Sequence, residues 1–145
     1  MKALIVRTAS RSDLPQLLAL YPHLDPADRI PPLDIAERRF DQLQAYRGSA
    51  IFVGHADDAL VASCTLIVIP NLTRGGQPYA LIENVVTHAA FRGRGFGKQI
   101  LQAAVDAAWQ AGCYKVMPQR ESTPRFSAGA GFHRGSKTYL EVRRL

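Results

Sequence analysis

Apolar positions recur along this chain with two different periods, and the switches between them mark out the elements. Residues 3–7 form a short apolar run that predicts a first strand. Leu14, Leu17, Leu18 and Tyr21 then fall at helical spacing, with Ser10 or Ser12 available as a cap and Asp13 in the first turn. Pro22 is expected to end that helix. Pro26, Pro31 and Pro32 make the next stretch a stiff, irregular connection. Residues 33–46 predict a second helix with Ile35, Phe40 and Leu43 inward. Residues 50–55 and 60–69 read as two strands of a hairpin turned through Asp57-Asp58, and a polar turn over 70–78 follows.

Residues 80–87, Ala-Leu-Ile-Glu-Asn-Val-Val-Thr, predict a buried strand. After it, Phe96, Ile100, Leu101, Ala104, Val105 and Ala108 share one helical face. Lys98, Gln99, Gln102, Asp106 and Gln110 fall on the other, and Gly112 supplies the stop. Residues 113–117 predict a fifth strand stopped by Pro118, 122–130 a short helix, and 137–143 a last strand. The fold class is mixed α/β (α+β): a mostly antiparallel sheet flanked by helices, with one central β-α-β unit. The two strands of that unit are parallel if they share a sheet. A chain of 145 residues without repeats or low-complexity tracts is expected to form one domain, 1–145.

The junction between strand and helix reads Arg92-Gly93-Arg94-Gly95-Phe96-Gly97. A helix start exposes backbone N–H groups that the helix cannot satisfy, and it carries the positive end of the macrodipole. Glycine lets an anion approach the main chain without a Cβ in the way. This is the pattern of a phosphate-binding turn. A P-loop is excluded, because Gly97-Lys98 is followed by Gln99 rather than Ser or Thr. The dinucleotide fingerprint also fails. Counted from Gly93, its last glycine position holds Lys98, and no acid stands about 20 residues on.

What fits is Arg-x-x-Gly-x-Gly, between Ile82-Glu83-Asn84-Val85-Val86 and an Ala-rich amphipathic helix. In this the chain resembles the GNAT superfamily of acyl-CoA-dependent N-acyltransferases. Arg125-Phe126 with Ala130-Gly131-Phe132 is similar to that family's late segment, and Val6-Arg7 with Asp13-Leu14-Pro15 to its usual opening. The resemblance implies splayed parallel strands with the pantetheine arm of acetyl-CoA lying in the opening. Val85 and Val86 would offer it backbone groups. The amides of Arg92, Gly93, Arg94, Gly95, Phe96 and Gly97 would take the pyrophosphate, and Lys98, Ser122 and Phe126 complete the cofactor contacts. It also implies direct attack by a primary amine in a ternary complex, a small-molecule acceptor and, as often in this fold, a homodimer. A protein or peptide acceptor stays open, as does a non-catalytic module binding CoA or nucleic acid.

Acyl transfer to an amine needs the reactants held together, a base for the ammonium and a proton for the departing thiolate. Glu83 is the candidate base. Strict strand alternation would put it on one face with Val85, and Asn84 on the opposite one as a structural residue. The family's tyrosine after Arg-Phe is replaced by Ser127, so Ser127, Tyr139, Tyr114 or water must deliver the proton to sulfur.

Charge changes little in this picture. A net charge of +6 and a pI near 9.7 suit a ligand with several phosphates. The basic residues are spread thinly, without the aromatic and basic strip of a nucleic-acid binder. Four scattered histidines have no ligand spacing, so no metal is expected. Cys64 and Cys113 read as small buried hydrophobes in a reducing cytoplasm. No apolar stretch is long enough to span a membrane, and no secretory leader is evident.

Overall fold

The computed structural model of the chain describes residues 3–118, 131–133, 135 and 140–144. The strands are β1 (Ile5–Thr8), β2 (Ala50–Ala56), β3 (Ala59–Ile69), β4 (Tyr79–Thr87) and β5 (Val116–Pro118). Among the described residues they form one sheet in the order β1-β2-β3-β4-β5, antiparallel except for the parallel pair β4–β5. The helices are α1 (Leu14–Leu20), α2 (Leu33–Ala45) and α3 (Phe96–Gln110), and α3 is the crossover between β4 and β5. The expected fold class is the observed one.

Each face of the sheet has its own core. On one side Leu66, Val68, Ala80 and Ile82 pack against Ile100, Leu101, Ala104 and Ala108 of α3. On the other, Ile51, Val53, Leu60 and Val86 pack against Leu14, Leu17, Leu20 and Phe40 of α1 and α2. Leu66, Ile82, Ile100 and Leu101 are almost wholly excluded from water, each worth about 1.5–3 kcal/mol of hydrophobic stabilisation. The apolar stripe read for α3 is the buried stripe.

Several local expectations are corrected. The α-helix α1 does end before Pro22, but a 3-10 turn, Tyr21–His23, follows it directly, with Pro22 in an early position that needs no N–H donor. Ile35 stays exposed, and Ala36 with Phe40 forms the buried stripe of α2. The fifth strand is shorter than expected and includes Pro118, which stands opposite Ile82 at the edge of the described sheet. Residues 113–115 precede β5 because Cys113 closes α3 through Ala108 O, and Tyr114 donates to Pro78 O at 2.9 Å. The expected helix over 122–130 and most of the last strand lie outside the described residues. Leu140 and Val142, at its end, are exposed.

The correction that matters for function lies in β4. Ser63 pairs with Val86, and Thr65 with Glu83, so two steps along β3 match three along β4. The extra residue makes a β-bulge, and Asn84 takes it up with φ of 55°, in the left-handed region that Asn tolerates better than most residues. The bulge resets the alternation. Val85 packs on the α3 side with Ile82, and Val86 on the α1–α2 side. Glu83, next to Ile82, therefore shares the α1–α2 face with Val86, not a face with Val85.

Candidate active site

β4 leads through a 3-10 turn, Ala89–Phe91, into the glycine-rich junction. Gly93 and Gly95 have φ of 77° and 79°, and a Cβ built on either would meet nothing within 4 Å. Both glycines thus border open space and use backbone conformations that other residues resist. Gly95 caps α3 and its carbonyl accepts from Gln99 N–H at 3.1 Å. The first amides of α3 have no acceptor within the helix. The chain therefore presents free N–H donors at the positive end of a helix of 15 residues.

The two arginines of the junction have different surroundings. Arg92 Nη2 donates to His23 O at 2.7 Å and its Nε to Thr87 O at 3.2 Å. Its guanidinium thus ties the junction to the end of α1. The Arg94 guanidinium lies 5.0 Å from the centre of the Phe91 ring, and Phe91 stacks toward the buried Phe96. Arg94 and Lys98 are exposed. Below the junction the His23 and His88 rings lie 3.9 Å apart. His23 Nδ1 accepts the Ala89 N–H at 3.2 Å and His88 Nδ1 the Ala90 N–H at 3.0 Å. Burial, His88 and Arg92 push the His23 pKa below its ordinary value.

On the α1–α2 side of the bulge, Glu83 is half-buried opposite the buried Thr65. The Tyr21 hydroxyl bonds to Thr65, and burial pushes the Tyr21 pKa up to about 12. The sequence marked Tyr21 only as part of the apolar stripe of the first helix, and Thr65 not at all. Their signal was a pair of polar atoms in otherwise apolar runs. Beyond the cover of α1 and α2 the same face continues as Ile67 and Ile69 of β3, opposite Leu81 and Tyr79 of β4. Met117 stands opposite Leu81 on β5. A cavity of about 540 Å³ lies there, lined by Ile67 and by Arg39, Gln42, Leu43, Ala45 and Tyr46 at the end of α2.

The structure therefore brings Glu83, Val85 and Val86 together at the bulge, next along β4 to the 92–98 junction. Tyr114 is elsewhere: it sits beside Pro78, where β4 begins. Ser122, Phe126, Ser127 and Tyr139 lie outside the described residues, while Phe132 packs against the α3-side core. Cys64 is buried with its Sγ 3.7 Å from Ile100 O, and burial pushes its pKa up to about 12. Neither described cysteine is bonded to another, and no metal-binding cluster occurs among the described residues. No described helix is long and apolar enough to cross a membrane.

The Acetyltransferase (GNAT) family model matches residues 17–132. The chain belongs to this family. It is an acetyl-CoA-dependent N-acetyltransferase by that membership. Its similarity to the glucosamine 6-phosphate N-acetyltransferase of Trypanosoma brucei brucei is 31% identity over 112 residues, 77% of this chain and 76% of that protein. A putative acetyltransferase from Agrobacterium tumefaciens superposes with a TM-score of 0.87 at 40% identity, covering 97% of this chain and 99% of that one. The crystal structure of glucosamine-6-phosphate N-acetyltransferase from Arabidopsis thaliana has a TM-score of 0.86 at 21% identity over 97% and 99%, a likeness of fold.

Proposed function

We propose that this acetyltransferase moves the acetyl group of acetyl-CoA to a primary amine of a small molecule, with Glu83 as the general base. The observation that carries the reading is the β4 bulge, which turns Glu83 toward the α1–α2 face while Val85 goes to the α3 face. In this reading the pyrophosphate rests on the amides of 92–97, and the pantetheine runs beside Val85 and Val86. The amine enters from the Glu83 side. Glu83, directly or through one water, takes a proton from the ammonium. The freed amine nitrogen attacks the thioester carbonyl, the C–N bond forms, and collapse of the tetrahedral intermediate breaks the C–S bond. The CoA thiolate leaves, and the second proton that the amine nitrogen loses as it becomes an amide passes through water to the thiolate.

An ordered pair of reactants is the larger part of the catalysis, since a ternary complex replaces a bimolecular encounter with an oriented one. Among amines, amino-sugar phosphates head the panel to be tried, because curated relatives carry the name glucosamine 6-phosphate N-acetyltransferase. The reading is tested by release of CoA thiol with mass detection of the N-acetyl product. Substrate-dependent release lost in Glu83→Gln supports it, and release that survives Glu83→Gln at full rate overturns the role of Glu83.

A further inference from the structure

Two hydrogen bonds from the segment entering the glycine-rich junction converge on one residue just beyond α1. His23, the last residue of the Tyr21–His23 turn, accepts Arg92 Nη2 at its carbonyl, 2.7 Å away. Its ring Nδ1 accepts the Ala89 N–H at 3.2 Å. Ala89 opens the 3-10 turn that leads out of β4, and Arg92 directly follows that turn. Residues 89–92 are therefore held at both ends by a residue 66 and 69 positions upstream.

A row of rings continues this hold inward. The His23 and His88 rings lie 3.9 Å apart, His88 meets Phe91 edge-on at 5.6 Å, and Phe91 stacks 6.4 Å from Phe96. Phe96 is buried and is the first residue of α3. The start of α3 is thus aligned by contacts that begin at His23.

The Ala89 bond depends on a single lone pair. A neutral imidazole offers one nitrogen as acceptor, and an imidazolium offers none. Protonation of His23 removes the acceptor of the Ala89 N–H and sets two donors face to face. His88 stacks on the ring from the end of β4, and Arg92 holds its carbonyl from the junction. Burial, His88 and Arg92 all push the His23 pKa down. Asp58, from the turn between β2 and β3, is the carboxylate among the residues lining a cavity of about 410 Å³ with both histidines. α1 gives that cavity Gln16, Ala19 and Leu20, none of which titrates.

We infer that His23 is a positioning residue for the cofactor: its ring, as the acceptor for Ala89, sets the phosphate-binding turn, and acidification releases the turn and weakens cofactor binding. This deepens the reading above and rests on its placement of the pyrophosphate on the amides of 92–97. The effect travels through the main chain, so His23 has no need to touch the cofactor. Acid also depletes the free amine and so slows transfer by a second route. Cofactor binding isolates the first.

The test measures calorimetrically the binding of 3′-dephospho-CoA to the full chain at a series of pH values from 7.5 to 5. This probe keeps the pyrophosphate and lacks the 3′-phosphate monoester, whose own second pKa of about 6 falls in that range. The parent is expected to lose affinity about threefold or more as pH falls. His23→Asn puts an amide oxygen where Nδ1 stood, which accepts the same N–H without titrating. It is expected to match the parent at pH 7.5 and to keep that affinity at pH 5. Ala89→Pro removes the N–H itself, at the first position of a 3-10 turn and after a residue with ψ of 134°, both of which suit proline. It is expected to bind more weakly than the parent at pH 7.5, with little dependence on pH. Circular dichroism at each pH restricts the comparison to folded protein, and should one variant fail to fold, the other carries it. A flat profile in the parent, or equal losses in parent and variant, overturns the role of His23 and leaves the cofactor placement intact. Absence of binding by the folded parent at pH 7.5 overturns that placement and the proposal with it.

Discussion

Arg92 donates to the main-chain carbonyl of His23 at 2.7 Å, which fastens the glycine-rich junction to the far end of α1, 69 residues away in sequence. The same guanidinium reaches Thr87 O, so one side chain joins the end of β4, the junction and the α1 turn. A charge that merely attracted phosphates would have no need of this geometry.

Arg92→Ala is therefore expected to weaken acetyl-CoA binding about tenfold, or 1.4 kcal/mol, by loosening the turn that aims the amides. Arg92→Lys keeps the charge but not the two-carbonyl fork, and is expected to recover less than half of that loss. Calorimetric titration of the two variants decides it. Full rescue by lysine would mean that charge, not geometry, is what position 92 supplies.

His23 makes stability depend on pH. The folded state holds the His23 pKa below its ordinary 6.5, so the unfolded chain binds protons more readily in that range. The contribution is present above about pH 6.5 and is lost as pH falls through the lower folded value. Protonation also places a proton on a nitrogen that now accepts the Ala89 N–H, beside His88 and Arg92. The melting temperature is expected to fall between pH 7 and pH 5, and to fall less steeply in His23→Asn, whose amide oxygen can accept the same N–H without titrating. Parallel pH profiles for the two proteins would remove the His23 contribution.

Asn84 is expected to be the position of β4 least tolerant of branched side chains. Its φ of 55° is reached readily by glycine and poorly by valine. Asn84→Gly should leave stability within about 1 kcal/mol, whereas Asn84→Val should cost about 1–3 kcal/mol or remove the bulge altogether. If the bulge is lost, Glu83 and Val85 return to one face, and catalysis should fall with stability. Chemical denaturation with parallel rate measurements separates the two effects.

The alternation that governs a regular strand also shows why the sequence was legible where it was. The 3.6-residue stripe of α3 and the runs of β2, β3 and β4 follow from hydrophobic spacing, because burial of one stripe or face is what those periods encode. The bulge does not: Glu83-Asn84-Val85-Val86 has the same letters whether or not a residue is extra, and the register is decided by pairing with β3. Likewise Arg92 reads as a phosphate ligand in a list of residues, since nothing local announces a carbonyl 69 positions upstream. Arg39 and Ile67 become neighbours of one cavity only after α2 is laid across the sheet. Long-range placement, not local chemistry, is what the spacing could not carry.

The most direct measurement of the central claim is the steady-state rate of amine acetylation by the parent and by Glu83→Gln, alongside acetyl-CoA affinity in both. Glutamine keeps the shape and hydrogen bonding of glutamate but removes its basicity. The account predicts a rate about 10- to 1,000-fold lower with acetyl-CoA affinity unchanged, and part of the loss recovered at high pH, where free amine is more abundant. An unchanged rate, or a loss confined to acetyl-CoA binding, would contradict it.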